Sequence, residues 1–261
     1  MNILLSFLHL FVIKDNCILR YLWSNLRNIL MPVFLAYFII QFFPTATNHP
    51  TEYLRFVYTG IFYIVLTNTI PEKLSRWFYL EQQRGTLETI AMTKLGIMGI
   101  IRYSFLLYLI IFLFIEAPIF IVIAKAIFGI QLSYYMNGIF YIFVLFNILL
   151  SFGISLLSIA FILLFNKHAF FASSRNYIYN LFSGVYCSVA IFPLFIKLFS
   201  YALPFTYGII ILRNIVRNEK GIYLYLGIFI LYAIVIVIIG HFFIKKILIY
   251  IMKKRSLTSY G

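Results

Sequence analysis

The chain has 261 residues, of which 64% are hydrophobic, 20% aromatic and only 11% charged. Its mean hydropathy is +1.00. That inventory excludes a soluble domain, which needs far more polar surface to turn to water. The net charge of +14 does not argue for nucleic acid, because the 21 Lys and Arg sit between apolar runs and not along one face. Basic residues so placed meet anionic headgroups and set topology.

In chain order, residues 1–28 predict an amphipathic helix lying in the membrane interface. His9, Asn16, Arg20 and Arg27 share one face of a helical wheel, and Leu8, Val12, Leu19, Leu22 and Leu26 share the other. The first charge, Lys14, follows the apolar start instead of preceding it, unlike a cleaved signal. A first span over residues 29–43 opens near Met31-Pro32, and a turn-rich loop from Pro44 to Pro50 follows. A second span covers 53–70 and is closed by Pro71.

Residues 81–94 then interrupt the apolar pattern with Glu81, Arg84, Glu88 and Lys94. Gly85 breaks the preceding helix, and Thr86 is placed to cap a short new one. Glu88 in its first turn and Lys94 in its last each have the sign that suits the helix dipole. Leu87, Ile90 and Ala91 share its apolar face, Arg84 and Glu88 are spaced to pair, and Gly96 offers a stop.

Further spans are expected over 97–124, 137–165, 177–191 and 222–244, making six in all. A short polar turn, 166–175, separates the fourth from the fifth. Residues 192–221 are too apolar for a plain loop, yet their two halves, divided by Pro193 and Pro204, are too short to cross a bilayer of ~30 Å and return. They predict an outer re-entrant helical hairpin packed against protein. Fifteen of the 21 Lys and Arg fall on the side that carries both termini and residues 81–94, and six on the other. Both termini are therefore expected in the cytoplasm.

Chemistry-bearing constellations are sparse. The cysteines, Cys17 and Cys187, suggest no disulfide framework, and the four histidines lack metal-ligand spacing. No carboxylate pair or Ser/His/Asp set supports an enzyme. Glu116 is the one acid within a span. It lies 18 residues, or about 27 Å, beyond Met98, which places it near the outer interface within reach of headgroups or Lys125. A proton or substrate site there is the alternative reading. Nearby, Pro118 is expected to kink the span. In the hairpin, Lys197 and Arg213 either snorkel or help form an outer gate with Pro193 and Pro204.

Glu81-Gln82-Gln83-Arg84-Gly85-Thr86-Leu87-Glu88, followed by Thr93-Lys94-Leu95, resembles the Glu-x-x-x-Gly-Thr-Leu-Glu element of permease subunits of type-2 ABC exporters. In many members Thr-Pro-Leu stands where this chain has Thr-Lys-Leu. Leu181-Phe182-Ser183-Gly184-Val185, Phe192-Pro193, Leu203-Pro204-Phe205-Thr206-Tyr207 and Leu212-Arg213 are similar to the family's fifth span and outer hairpin. The amphipathic start and six spans match in order over nearly the whole chain.

The resemblance implies that 81–94 is a cytoplasmic coupling helix seated in a separate ATP-hydrolysing subunit, with Glu81, Arg84, Gly85, Thr86, Leu87 and Glu88 at the contact. Two such ATPase subunits, holding ATP and Mg, would serve two permeases, either two copies of this chain or this chain and a related one. This chain carries no phosphate-binding loop, since no Lys is followed by Ser or Thr. The expected activity is export of an amphipathic substrate (a drug, peptide, lipid or lipid-linked glycan) across the cell membrane, with no cofactor on this chain. An ion-coupled carrier using Glu116 and a non-transporting scaffold or immunity protein are the alternatives from other classes.

Overall fold

The computed structural model describes residues 34, 38, 50–93, 95–128, 138–165, 168–217 and 221–254. The expected interfacial helix, 1–28, lies outside them, as does nearly all of the first span, 29–43. The chain divides into two units, Met1–Leu54 and Arg55–Gly261. In the first, Phe34 and Phe38 are exposed. The architecture below is that of the second.

Every described element is helical. A sequence of unbroken apolar runs gives this result because, away from water, backbone N–H and C=O groups must be satisfied within the segment. The order is α1 (Pro50–Gln83), α2 (Leu87–Ala91), α3 (Gly96–Ile111), a π turn (Phe112–Glu116), α4 (Ala117–Phe128), α5 (Gly138–Phe165), α6 (His168–Phe182), a 3-10 turn (Val189–Ile191), α7 (Leu194–Ala202), α8 (Pro204–Arg217) and α9 (Ile222–Lys254).

Three described stretches are long and apolar enough to cross a bilayer: Gly96–Ile123, Gly138–Phe165 and Ile222–Tyr250. The pair α7 and α8, bent by 86°, would make a fourth if counted as one broken span. The chain is a helical membrane protein. The most apolar window of α5 is 56% buried within the chain and that of α9 only 17%, so α5 is an interior helix and α9 shows most of its surface outward. Leu224, Leu231, Ile238 and Phe242 on α9, with Leu106, Ile110 and Phe114 near α3, are exposed apolar side chains of the kind lipid solvates.

Two expected spans come out differently. Residues 53–70 lie inside α1, but this helix is not among the three apolar stretches. It buries Thr59, Thr67, Asn68 and Ser75, which lower its hydropathy because they face neighbouring helices and not lipid. The fifth span, expected at 177–191, is not one helix. Helix α6 starts nine residues earlier and stops at Phe182, after which the chain turns through Gly184 at φ 83°. The polar run ending in Ser173-Ser174-Arg175, expected as a loop, is the first half of this helix.

Helix α1 is the hub. Tyr63, fully buried, meets Phe143 of α5 at 5.8 Å, Phe205 of α8 at 6.1 Å and Phe229 of α9 at 6.5 Å between ring centroids. Tyr179 of α6 stacks on Phe205 at 3.6 Å. On another side, the Tyr58 hydroxyl donates to the Phe120 carbonyl of α4 at 2.6 Å.

Pro71 sits inside α1 and has no N–H, which orphans the carbonyl four residues back, that of Thr67. Ser151 of α5 donates its hydroxyl to that carbonyl at 2.9 Å. The Thr67 hydroxyl bonds the Asn147 side-chain oxygen at 2.8 Å, so the α1/α5 contact closes on itself. Between α5 and α9 the backbones touch: a Cβ added at Gly153 would lie 2.9 Å from the Val237 nitrogen, and one at Gly240 would lie 2.9 Å from the Gly153 carbonyl oxygen. Small residues allow helices this close approach.

Candidate functional site

The reversal between α1 and α3 is built from its own sequence. Thr86 N–H donates to the Glu81 carbonyl at 3.1 Å and Gly85 N–H to the Gln82 carbonyl at 3.2 Å. This is the Schellman closure of a helix, with Gly85 in the left-handed position at φ 73°. A side chain at this position would bring Cβ against the following carbonyl.

The Glu81 carboxylate reinforces the turn from inside. It accepts from Arg84 Nη1 at 3.1 Å and lies in a short contact with the Thr86 hydroxyl. Arg84 pairs with Glu81; the side chain of Glu88, to which it is also spaced, lies outside the described residues. The Thr86 backbone fits the cap position, since its carbonyl accepts from Ile90 N–H at 3.1 Å, but its hydroxyl turns back to Glu81.

Helix α2 is a single turn, Leu87–Ala91. It ends before Lys94, which lies outside the described residues. Gly96, expected as its stop, instead opens α3 with φ 61°. Leu87 is 0% exposed and pins the turn to the chain's own core, whereas Met92 is 87% exposed. The reversal thus withholds Glu81 and Leu87 and presents Gln83, Arg84, Thr89, Met92 and Thr93. Met92 is a docking candidate that composition did not single out; its place after a one-turn helix gives it a free apolar tip.

Glu116 does not reach headgroups or Lys125. It is buried, 2% exposed, and accepts from Lys73 Nζ of α1 at 2.5 Å. Counting residues along one helix gives depth but not the neighbour. The Lys73 stem is long, and helix side chains lean toward the N-terminus, which carries its ammonium back into the bundle. Glu116 ends the π turn that leads into Pro118, so the span accommodates its proline through a widened turn.

In the second candidate region, Pro193 precedes α7 and Pro204 opens α8. Lys197 N–H bonds the Pro193 carbonyl at 2.9 Å, and its side chain is half-buried. Arg213 points inward. Its Nη2 donates to the carbonyls of Phe56, 3.1 Å, and Val185, 3.0 Å, and its guanidinium carbon lies 3.3 Å from the centroid of the Phe56 ring. That geometry clasps α8 to α1 and to the loop after α6. The structure brings Glu81, Arg84, Gly85, Thr86 and Leu87 into one turn and Glu116 onto Lys73. No group of His, Cys, Asp or Glu among the described residues has the geometry to hold a metal ion.

The chain matches no protein-family model and no curated protein.

Proposed function

We propose that the chain is the membrane permease subunit of a type-2 ABC exporter, docked through residues 81–94 to a separate cytoplasmic ATPase. The observation that carries this reading is the α1/α3 reversal: a glycine-closed turn bearing Gly-Thr-Leu-Glu, anchored by Leu87 and leaving Arg84 and Met92 exposed. A rigid turn at the end of a 34-residue helix suits a lever, because displacement of the turn is passed to α1 as a whole. In this reading Glu81 is a positioning residue that fixes the turn, and Arg84, Met92 and Glu88 meet the partner.

The same reading places six spans in the cell membrane with both termini in the cytoplasm and two permeases beside two ATPases. It leaves the amphipathic cargo open and makes Pro193, Lys197, Pro204 and Arg213 the frame of an outer gate. The test is co-purification with a soluble ATPase that has a phosphate-binding loop, followed by ATP hydrolysis in proteoliposomes. Met92→Asp is expected to lower permease-stimulated hydrolysis at least tenfold, and Glu81→Ala with Glu88→Ala to lower it comparably. Full activity in both variants would overturn the docking role.

An ion-coupled carrier has one observation in its favour, the buried Lys73–Glu116 pair. That reading requires transport to collapse with the ion gradient while ATP is intact.

A further inference from the structure

Helix α9 shows most of its surface outward, and one stripe of that surface changes character along its length. Leu231, Ile238 and Phe242, all exposed, follow one another at helical spacing. Lys245 continues the stripe with Lys246 beside it, and both are exposed. At 1.5 Å per residue the stripe from Leu231 to Lys245 is about 21 Å long, enough to cover one leaflet's half of a hydrocarbon core of ~30 Å.

Contacts between α9 and α5 fix the level of the two cations. Gly153 meets the backbone at Val237, and the rings of Phe161 and Phe243 lie 5.9 Å apart, so the two helices run side by side in the same direction. Lys245 and Lys246 are therefore level with the last turn of α5, which stops at Phe165 before Asn166-Lys167, and the apolar stretch of α9 ends at Tyr250. From Lys246 to Tyr250 is about 6 Å, a depth that a lysine stem crosses to bring its ammonium to headgroup level. Nothing on the chain neutralises the pair there. Among the described residues neither ammonium has an ion pair or a hydrogen bond, and no Asp or Glu occurs in α5, in α9 or between residues 220 and 261. The comparable face of α3, with Leu106, Ile110 and Phe114 exposed, ends in a single cation, Arg102.

We infer that this face of α9 binds an anionic phospholipid, its phosphate on Lys245 and Lys246 and an acyl chain along Leu231, Ile238 and Phe242. The apolar part alone would accept any lipid. The unneutralised lysine pair makes the choice, because a zwitterionic headgroup brings its own ammonium with its phosphate whereas a net-negative one offsets the charge of the chain. Each Lys near an anionic surface strengthens such binding about fivefold. The site lies wholly on α9 and needs neither an ATPase nor a second permease. It stands independently of the proposed export function and of the side of the membrane that the C-terminus faces.

The experiment is a titration of the purified full chain in neutral detergent with phosphatidylglycerol and, separately, with phosphatidylcholine of the same acyl chains, read by native mass spectrometry. Phosphatidylglycerol is expected to bind about tenfold or more tightly than phosphatidylcholine, and Lys245→Gln with Lys246→Gln to erase that preference. Lys245→Arg with Lys246→Arg keeps both charges and is expected to keep the preference, which separates charge from any loss of packing. Lys125→Gln removes one exposed charge from α4 and is expected to leave the preference unchanged. Equal binding of the two lipids by wild type, or a preference that survives in the double Gln variant, would overturn the site. Displacement of phosphatidylglycerol by an equal concentration of inorganic phosphate would overturn the lipid assignment in favour of a free anion.

Discussion

Two flanks of α1 solve the same problem in opposite ways. Toward α5, polar groups are mutual partners: Thr67 with Asn147, and Ser151 with the carbonyl that Pro71 orphans. Toward α6, Asn176 bonds Glu72, but both side-chain atoms of Asn68 are buried without a partner. A third side, toward α3 and α4, holds the Lys73–Glu116 ion pair. The difference matters for packing, because a polar group that completes a neighbour specifies how two helices meet, whereas one without a partner does not.

The largest expected effect lies on the third side. Lys73→Met leaves the Glu116 carboxylate buried without its cation, and removing one partner of such a pair costs about 3 kcal/mol or more. Lys73→Met combined with Glu116→Met is expected to recover most of that loss, since the cost belongs to the uncompensated charge. Thermal unfolding in detergent measures both. If the single and double variants lose the same stability, the pair does not act as a unit.

A smaller effect tests the closed flank. Ser151→Val removes the donor to the Thr67 carbonyl, and interhelical bonds of this kind inside membranes contribute about 1 kcal/mol. Pro71→Ala restores an N–H four residues beyond Thr67, which gives that carbonyl an intrahelical partner. In the Pro71→Ala background Ser151→Val is therefore expected to cost clearly less than in wild type. Equal costs in both backgrounds would show that Ser151 packs without serving the proline gap.

These partnerships were unevenly legible in the sequence. The apolar runs that become α5, α9 and the Gly96–Ile123 stretch announce themselves, because lipid-facing helices need apolar residues nearly all round. Gly85 marks its own turn for a similar reason: the left-handed conformation is local. Pairings across helices are not local. Nothing in the spacing of Glu116 names Lys73, and nothing in Arg213 names the Phe56 carbonyl. The start of α6 was hidden most fully, since His168, Ser173, Ser174 and Arg175 read as part of a polar turn. The helix instead sets Arg175 and Asn176 against polar residues of other helices, Ser158 and Glu72.

The smallest expected effect is the most discriminating for the open flank. Replacing a paired polar residue strands its partner, but Asn68 has no partner to strand. Asn68→Leu substitutes an apolar side chain of similar bulk at a buried position and removes two unsatisfied atoms, which is nearly neutral or stabilising. Its unfolding free energy is expected within about 0.5 kcal/mol of wild type or above it. Asn147→Leu, on the paired flank, deprives the Thr67 hydroxyl of its side-chain partner and is expected to be less stable than Asn68→Leu by about 1 kcal/mol. A reversed order would mean that Asn68 is held by groups of the chain itself, and the distinction between the two flanks would fail at its centre.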